Sequence, residues 1–264
     1  MDVSGSLNDR VAIVTGAGQG VGEGIARRLA QEGAHVVVAA RRAETGEPVA
    51  ASIRDGGGDA VCIETDVADG DSVHRCVDET VKQFGRLDVV VHNAFTGGIP
   101  HRLEKAQIDK HWTAMSRTSV WASLFCARES YRYLVESSQR PMGAGGGRLI
   151  LITSPSGVEG SANIPLYSPA KAGQRAIAKS LAREWGPDGI TVNCIAPVAA
   201  SPSLLTAFER NPALQQALEA RTPLGRVGDI TQDIGSVALF LAGDDSSYVT
   251  GQTIVCDGGS FLGL

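Results

Sequence analysis

The stretch VTGAGQGVG, residues 14–22, places glycine at four alternate positions, Gly16, Gly18, Gly20 and Gly22. It follows the β-branched apolar run VAIVT (11–15) and opens a helical pattern over 21–32. The order strand, glycine turn, helix offers backbone N–H groups and the positive end of a helix dipole to an anion. The dinucleotide spelling G-x-G-x-x-G would need glycine at Val21, counting from Gly16, or at Glu23, counting from Gly18. Neither is glycine. The spacing, beginning at Thr15, is T-G-x-x-x-G-x-G. Alone it reads either as a pyrophosphate cradle or as an ordinary strand-to-helix turn, and the rest of the chain has to decide.

The rest of the chain repeats that alternation. Further short apolar runs, AHVVVAA (34–40), AVCIET (60–65), LDVVVH (87–92), RLILITS (148–154), ITVNCIA (190–196) and QTIVC (252–256), read as strands buried on both faces. Helical patterns lie between them, at 70–84, over a long stretch near 104–137, from 166–169 to 185, and at 229–242. Strands alternating with helices predict right-handed crossovers and a doubly wound parallel sheet, a Rossmann-like α/β fold with helices on both faces. No linker, repeat or low-complexity segment divides the chain, so residues 1–264 read as one domain. Ligands of such a sheet bind at the carboxyl ends of its strands. The first glycine loop lies at that edge. The clusters at 55–59 and 143–147 precede strands instead and read as flexible connections at the opposite edge.

Bulk properties exclude several classes. The chain has 264 residues, 43% of them hydrophobic, and a formal net charge of −5. Without a basic run, it offers no expectation of nucleic acid or an anionic membrane as partner. No apolar segment approaches the ~18 residues of a membrane span, and the start MDVSGSLNDR lacks secretory-signal character, so a cytoplasmic location is expected. The five cysteines are scattered without a CxxC pair, and the histidines fit no zinc-ligand spacing. Metal catalysis is not expected.

A second constellation bears on chemistry. Tyr167-Ser168-Pro169-Ala170-Lys171 spells Y-x-x-x-K, with Ser154 thirteen residues upstream at a strand end. Residues i and i+4 share a helix face, so Lys171 can sit beside the Tyr167 phenol. A phenol of pKa ~10 needs a shift of ~3 units, about 4 kcal/mol, to act as a base near neutrality. A unit charge ~4 Å away supplies about 4 kcal/mol at an effective dielectric near 20. Tyrosine and lysine four apart are also common surface decoration. Pro169 distinguishes the two, because proline belongs in a first helical turn and so sets the pair at the helix mouth.

Together, TGAGQGVG, His92-Asn93-Ala94, Ser154 with Gly157, YSPAK (167–171), VNCIAP (192–197) and GQTIVCDGG (251–259) resemble the short-chain dehydrogenase/reductase family. The likeness is to its short, single-domain subclass of the 3-oxoacyl-carrier-protein-reductase-like kind, and it spans essentially the whole chain. It implies about seven strands, reversible hydride transfer between a nicotinamide cofactor and a small-molecule carbonyl or alcohol, and a homotetramer. By resemblance Tyr167 is the general acid/base. Lys171 lowers its pKa and holds the nicotinamide ribose, and Ser154 orients the substrate. Gly16, Gly18, Gln19, Gly20 and Val21 take the pyrophosphate. Asp66 and Val67 meet the adenine, although Asp66 also reads as a loop cap. Asn93 and Ala94 line the adenosine and ribose path, and Pro197 and Val198 flank the nicotinamide.

The second strand ends Ala39-Ala40-Arg41-Arg42, with no carboxylate to repel a 2′-phosphate. Arg41 or Arg42 can take that phosphate as a charge-assisted fork, so NADP(H) is expected over NAD(H). Both arginines also read as solvated surface charges. Three departures from the family pattern stand out. Phe95 replaces the glycine of N-A-G, Val198 replaces the glycine of Pro-Gly, and Ser119 stands where the family's catalytic asparagine is expected. A serine hydroxyl can bind the water that asparagine would position, which predicts a rerouted proton relay. These departures keep open an alternative, a catalytically weak cofactor-binding sensor on the same scaffold. An α/β-hydrolase is disfavoured, since Ser154-Pro155-Ser156-Gly157 is not G-x-S-x-G. Residues 199–221 fall where the family carries a substrate lid, and Leu204, Leu205, Phe208 and Leu214 would give it an apolar lining. An amphipathic helix explains the same pattern. Phe95, Trp112 and Trp121 read as core packing ahead of pocket or interface.

Overall fold

A computed structural model of the chain describes residues 6–97, 102–141, 145–162 and 164–261. Seven strands form one parallel sheet: β1 (Val11–Thr15), β2 (His35–Ala40), β3 (Asp59–Glu64), β4 (Val89–His92), β5 (Arg148–Ile152), β6 (Thr191–Pro197) and β7 (Thr253–Cys256), in the order β3-β2-β1-β4-β5-β6-β7. The helices are α1 (Gly20–Gln31), α2 (Ala43–Asp55), α3 (Gly70–Phe84), α4 (Ile108–Ser116), α5 (Ala122–Ser138), α6 (Ser156–Glu159), α7 (Tyr167–Trp185), α8 (Pro202–Arg210), α9 (Pro212–Arg221) and α10 (Ser236–Ala242). This is the doubly wound, Rossmann-like sheet expected. Its strand order reverses at β1, which pairs with β2 on one side and β4 on the other, and the crevice of such a sheet opens at that switch point.

The strands read as continuous apolar runs because both faces are covered. Ala12, Val14, Val36, Val38, Val89 and Val91 pack under α1, α2 and α10 through Ile25, Leu29, Val49, Ile53, Ala238 and Leu241. The alternate residues Val11, Ile13, Val37, Val90, Leu149 and Leu151 pack under α3, α5 and α7 through Val73, Val77, Leu134, Ala178 and Trp185. The period of two along each strand therefore divides one apolar run between two cores. At the amino edge, Asp88 is fully buried; it accepts from Val11 N at 2.8 Å and from Arg86 Nε and Nη2, both at 2.7 Å, and Ser137 donates to it as well.

Four sequence readings change. The stretch near 104–137 is not one helix: a 3₁₀ turn (Leu103–Lys105), α4, a π turn (Arg117–Trp121) and α5 follow one another. The 229–242 stretch likewise opens with a π turn, Ile230–Gly235, before α10. Trp112 and Trp121 are not core residues; they are 37% and 55% exposed. Nor is the glycine connection before β5 loose where it is described, since Gly146 N and Gly147 N donate to the Ser137 and Ser138 hydroxyls, both at 2.9 Å; Gly143 and Ala144 lie outside the described residues. Among the described residues no helix is long and apolar enough to cross a membrane.

Candidate active site

The glycine loop joins β1 to α1 at the switch point. Gly16 has φ +66°, a left-handed conformation costly for other residues. A Cβ on Gly22 would lie 2.4 Å from Asn93 Nδ2 and 2.6 Å from Gly16 O, so only glycine lets α1 approach the loop. Asn93 braces the same turn, donating from Nδ2 to Thr15 O (3.0 Å) and Gly16 O (3.2 Å). Thr15 Oγ1 accepts from Asn93 N and Ala94 N at 3.0 and 3.1 Å, which ties the end of β4 to the loop. No side chain caps α1, leaving its first-turn N–H groups free for an anion.

A cavity of about 380 Å³ opens over this loop. Gly16, Gly18, Gln19, Gly20 and Val21 line it, as do Arg41, Arg42, Asp66, Val67, Asn93 and Ala94. Each of these was singled out in the sequence, and the fold brings them together. Both arginines are exposed side chains at the β2 edge, with Thr45 beside them. Asp66 has the second role foreseen as well, accepting from Ala68 N at 2.9 Å. An uncapped helix start, a glycine cradle that a Cβ would fill and flanking guanidiniums fit the diphosphate and ribose end of a dinucleotide. Pro197 and Val198 fall elsewhere. Pro197 ends β6, and Val198 lines a second cavity of about 330 Å³ with Leu224, Arg226 and Cys256.

Beyond Phe95 stands the chemical group of residues. The Phe95 ring meets Tyr167 edge-on, centroids 5.2 Å apart, and Lys171 Nζ lies 4.5 Å over its centre. Phe95 is thus neither glycine-like space nor core; it lines the loop cavity and meets both Tyr167 and Lys171. α7 begins at Tyr167 with Pro169 in its first turn, so the helix mouth holds the phenol at the carboxyl edge. Ser154, just after β5, lies close enough to the phenol to lower its pKa and accepts from Ser156 N at 3.2 Å. Lys171 is 3% exposed and donates to Ile152 O at 2.8 Å and Gln174 Oε1 at 3.0 Å. Its Nζ stands 5.9 Å from the Tyr167 ring centre.

Electrostatics here run opposite to the simple expectation. Burial raises the Tyr167 pKa above the ordinary phenol value, and Ser154 beside it offsets only part of that. Burial also pushes Lys171 down to about 7, with Cys194 opposing. His92, buried behind it, is lowered to about 3 by burial and then by the Lys171 charge, and is therefore neutral. Without a cofactor's charge the phenol is held protonated, as a general acid requires. Ser119 is fully buried on the π turn, but its hydroxyl donates to Met115 O at 2.6 Å. That proton is turned into the helix and not toward Lys171, which leaves the hydroxyl oxygen only as an acceptor. Sequence reasoning missed Gln174, Ser123 and Thr15. For Gln174 the available signal was its place three residues after Lys171, on the same helix face.

The proposed lid comprises α8 and α9. Phe208 is buried and Leu204 half-buried, while Leu205 and Leu214 are exposed. Ser201 and Pro202, at the start of α8, reach the rim of the first cavity.

Comparison with known proteins is consistent throughout. The family model described as enoyl-(acyl carrier protein) reductase matches residues 16–260. Versicolorin reductase stcU of Emericella nidulans is 34% identical over 267 residues, covering 97% of each chain. The 3-oxoacyl-acyl-carrier-protein reductase FabG of Staphylococcus aureus is 34% identical, covering 95% of this chain and 98% of that protein. A solved short-chain type dehydrogenase/reductase from Mycobacterium ulcerans superposes with a TM-score of 0.88 at 27% identity, over 97% of this chain and 90% of that one. The sheet order, the glycine loop beside Asn93, and the meeting of Ser154, Tyr167 and Lys171 have the same explanation as these matches: the chain belongs to the short-chain dehydrogenase/reductase family, as a 3-oxoacyl-acyl-carrier-protein-reductase-like member.

Proposed function

We propose that the protein reduces an apolar ketone reversibly to a secondary alcohol, with NADP(H) preferred and Tyr167 as general acid. The bound nicotinamide supplies or accepts the hydride. Ser154 orients the carbonyl oxygen, and Tyr167 gives that oxygen its proton; in the reverse direction the phenolate takes the proton back. Lys171 supports the phenolate by its charge. The observation that carries this reading is the half-buried phenol at the mouth of α7, with Ser154 lowering its pKa and the Lys171 ammonium beside it. A raised phenol pKa favours the protonated form over the neutral range, which suits reduction. A panel of ketones with NADPH tests it: Tyr167→Phe should lower kcat by about 10²–10⁴-fold, the share of a general acid, while NADPH binding is kept. Tight NADPH binding with no turnover on any ketone would instead favour the sensor, a reading to which Phe95 over Lys171 lends support.

Preference for the phosphorylated cofactor rests on Arg41 and Arg42 at the rim of the loop cavity and on the absence of a carboxylate at the end of β2. A charge-assisted bond is worth about 1.5–3 kcal/mol, so Arg41→Asp should cut the NADPH-over-NADH preference at least about tenfold. An unchanged ratio of KM values would remove Arg41 from the argument. The lid of α8 and α9 would close over the substrate as part of one domain. A homotetramer is proposed too, with the exposed Trp121 and Leu124 near the start of α5 as candidate interface residues; light scattering measures the mass directly.

A further inference from the structure

An ammonium has three hydrogens to place, and three protein groups surround Nζ of Lys171: Ile152 O at 2.8 Å, Gln174 Oε1 at 3.0 Å, and the Phe95 ring at 4.5 Å. Gln174 is 1% exposed, and its Nε2 donates to Ser123 Oγ at 3.0 Å. Ser123, fully buried, donates in turn to Ser119 O at 2.7 Å. The far end of this chain fixes its direction. A carbonyl only accepts, so the Ser123 proton goes to Ser119 O, and the serine oxygen is left to accept. The amide group of Gln174 must then face Ser123, which turns Oε1 toward the ammonium. Every donor points away from Lys171 toward a helix carbonyl. Such a chain anchors the ammonium and has no proton to hand back.

The other groups facing Nζ do not supply a countercharge. His92, from β4, is neutral, and Cys194, from β6, is a thiol pushed up to about 12. Tyr167, on α7 itself, is held protonated. Among the described residues no carboxylate is paired with Lys171. Two neutral dipoles, one of them on a side chain, therefore hold the charge in place.

We propose that Gln174 is a positioning residue for the reduction proposed above, holding the Lys171 ammonium in a buried site through an amide that Ser123 and the Ser119 carbonyl orient. The inference rests on that functional reading, but its test does not need turnover. In the cofactor-free protein carrying ¹³C-lysine, the Lys171 Cε resonance, assigned by its loss in Lys171→Met, is followed against pH. Removing a hydrogen bond to the charged form lowers a pKa, so Gln174→Met should move the midpoint down by about one unit. Ser123→Ala should move it the same way by less, and Gln174→Glu, which keeps an acceptor and adds a charge, should move it up. Thermal melts establish that each variant is folded. If Gln174→Met does not fold, Ser123→Ala and Gln174→Glu carry the test. With NADPH and a ketone, the Lys171-dependent limb of the kcat–pH profile should move with the resonance. Wild-type midpoints in every folded variant overturn the proposal. Shifted midpoints in a protein that reduces no ketone would leave the contact standing and overturn the functional reading instead.

Discussion

Replacing Lys171 with methionine should change stability by an amount that depends on pH in a calculable way. Burial holds the folded amine near 7, against an ordinary 10.5. Between those values the unfolded chain binds more protons than the folded one, so stability rises with pH across the window and is flat on either side. With the folded amine half-protonated at pH 7, burial destabilises the wild type by about 4 kcal/mol; at pH 9 the figure is about 2 kcal/mol. Lys171→Met removes this dependence. It also strands the Ile152 carbonyl and the Gln174 amide, but that cost does not vary with pH. Urea unfolding at pH 7 and pH 9, at fixed protein concentration and equal m-values, isolates the titration. The stability difference, mutant minus wild type, should fall by about 2 kcal/mol from pH 7 to pH 9. His92 titrates near 3, Cys194 near 12 and Tyr167 above the usual phenol value, so none of them confuses the interval. A pH-independent difference would refute the account of Lys171 as a buried, half-charged amine.

Two further outcomes follow from packing. Asp88→Ala should cost about 3–5 kcal/mol, the penalty for breaking a buried ion pair, because it removes the Arg86 carboxylate partner and leaves Val11 N and the Ser137 hydroxyl without their buried acceptor; a loss under about 1 kcal/mol in urea would mean that the cluster is idle. Gly22→Ala inserts a methyl group 2.4 Å from Asn93 Nδ2, overpacking worth about 1–3 kcal/mol. Displacement of the Gly16 turn should then weaken NADPH binding about tenfold by calorimetry, while an unchanged affinity would separate the loop's packing from its ligand.

The sheet was legible because buried parallel strands are written as unbroken apolar runs; VAIVT marks β1 to the residue. Where a helix departs from regular winding, apolar periodicity carries no mark of it. The π turn at Arg117–Trp121 leaves no mark in the apolar spacing, and on it Ser119 makes the ordinary i−4 bond to Met115 O while its carbonyl accepts from Ser123. α2 escaped notice for a related reason, since Thr45-Gly46-Glu47-Pro48 has turn composition. Gly46 is there because a Cβ would strike Cys62 Sγ at 2.5 Å, a tertiary requirement that no local propensity records. At the site, motif positions put Tyr167 beside Lys171, which the structure shows 5.9 Å apart, Nζ to ring centre. What escaped was the surroundings: Phe95 was read as core because a lone aromatic after a strand usually is, and Gln174 resembles any helix residue until the lysine beside it is known to be buried.

The Phe95 ring has a consequence for how the protein can be altered. It lines the loop cavity that holds the arginines and glycines, and its ring also meets the phenol and the amine. Arg41 and Thr45 line the loop cavity, while Tyr167, Lys171, Leu204 and Leu205 do not. On the function proposed above, coenzyme choice and ketone scope then become largely separate engineering problems, to be optimised in parallel libraries and combined afterwards. The two libraries meet at position 95 and at Ser201 and Pro202, where α8 reaches the loop cavity.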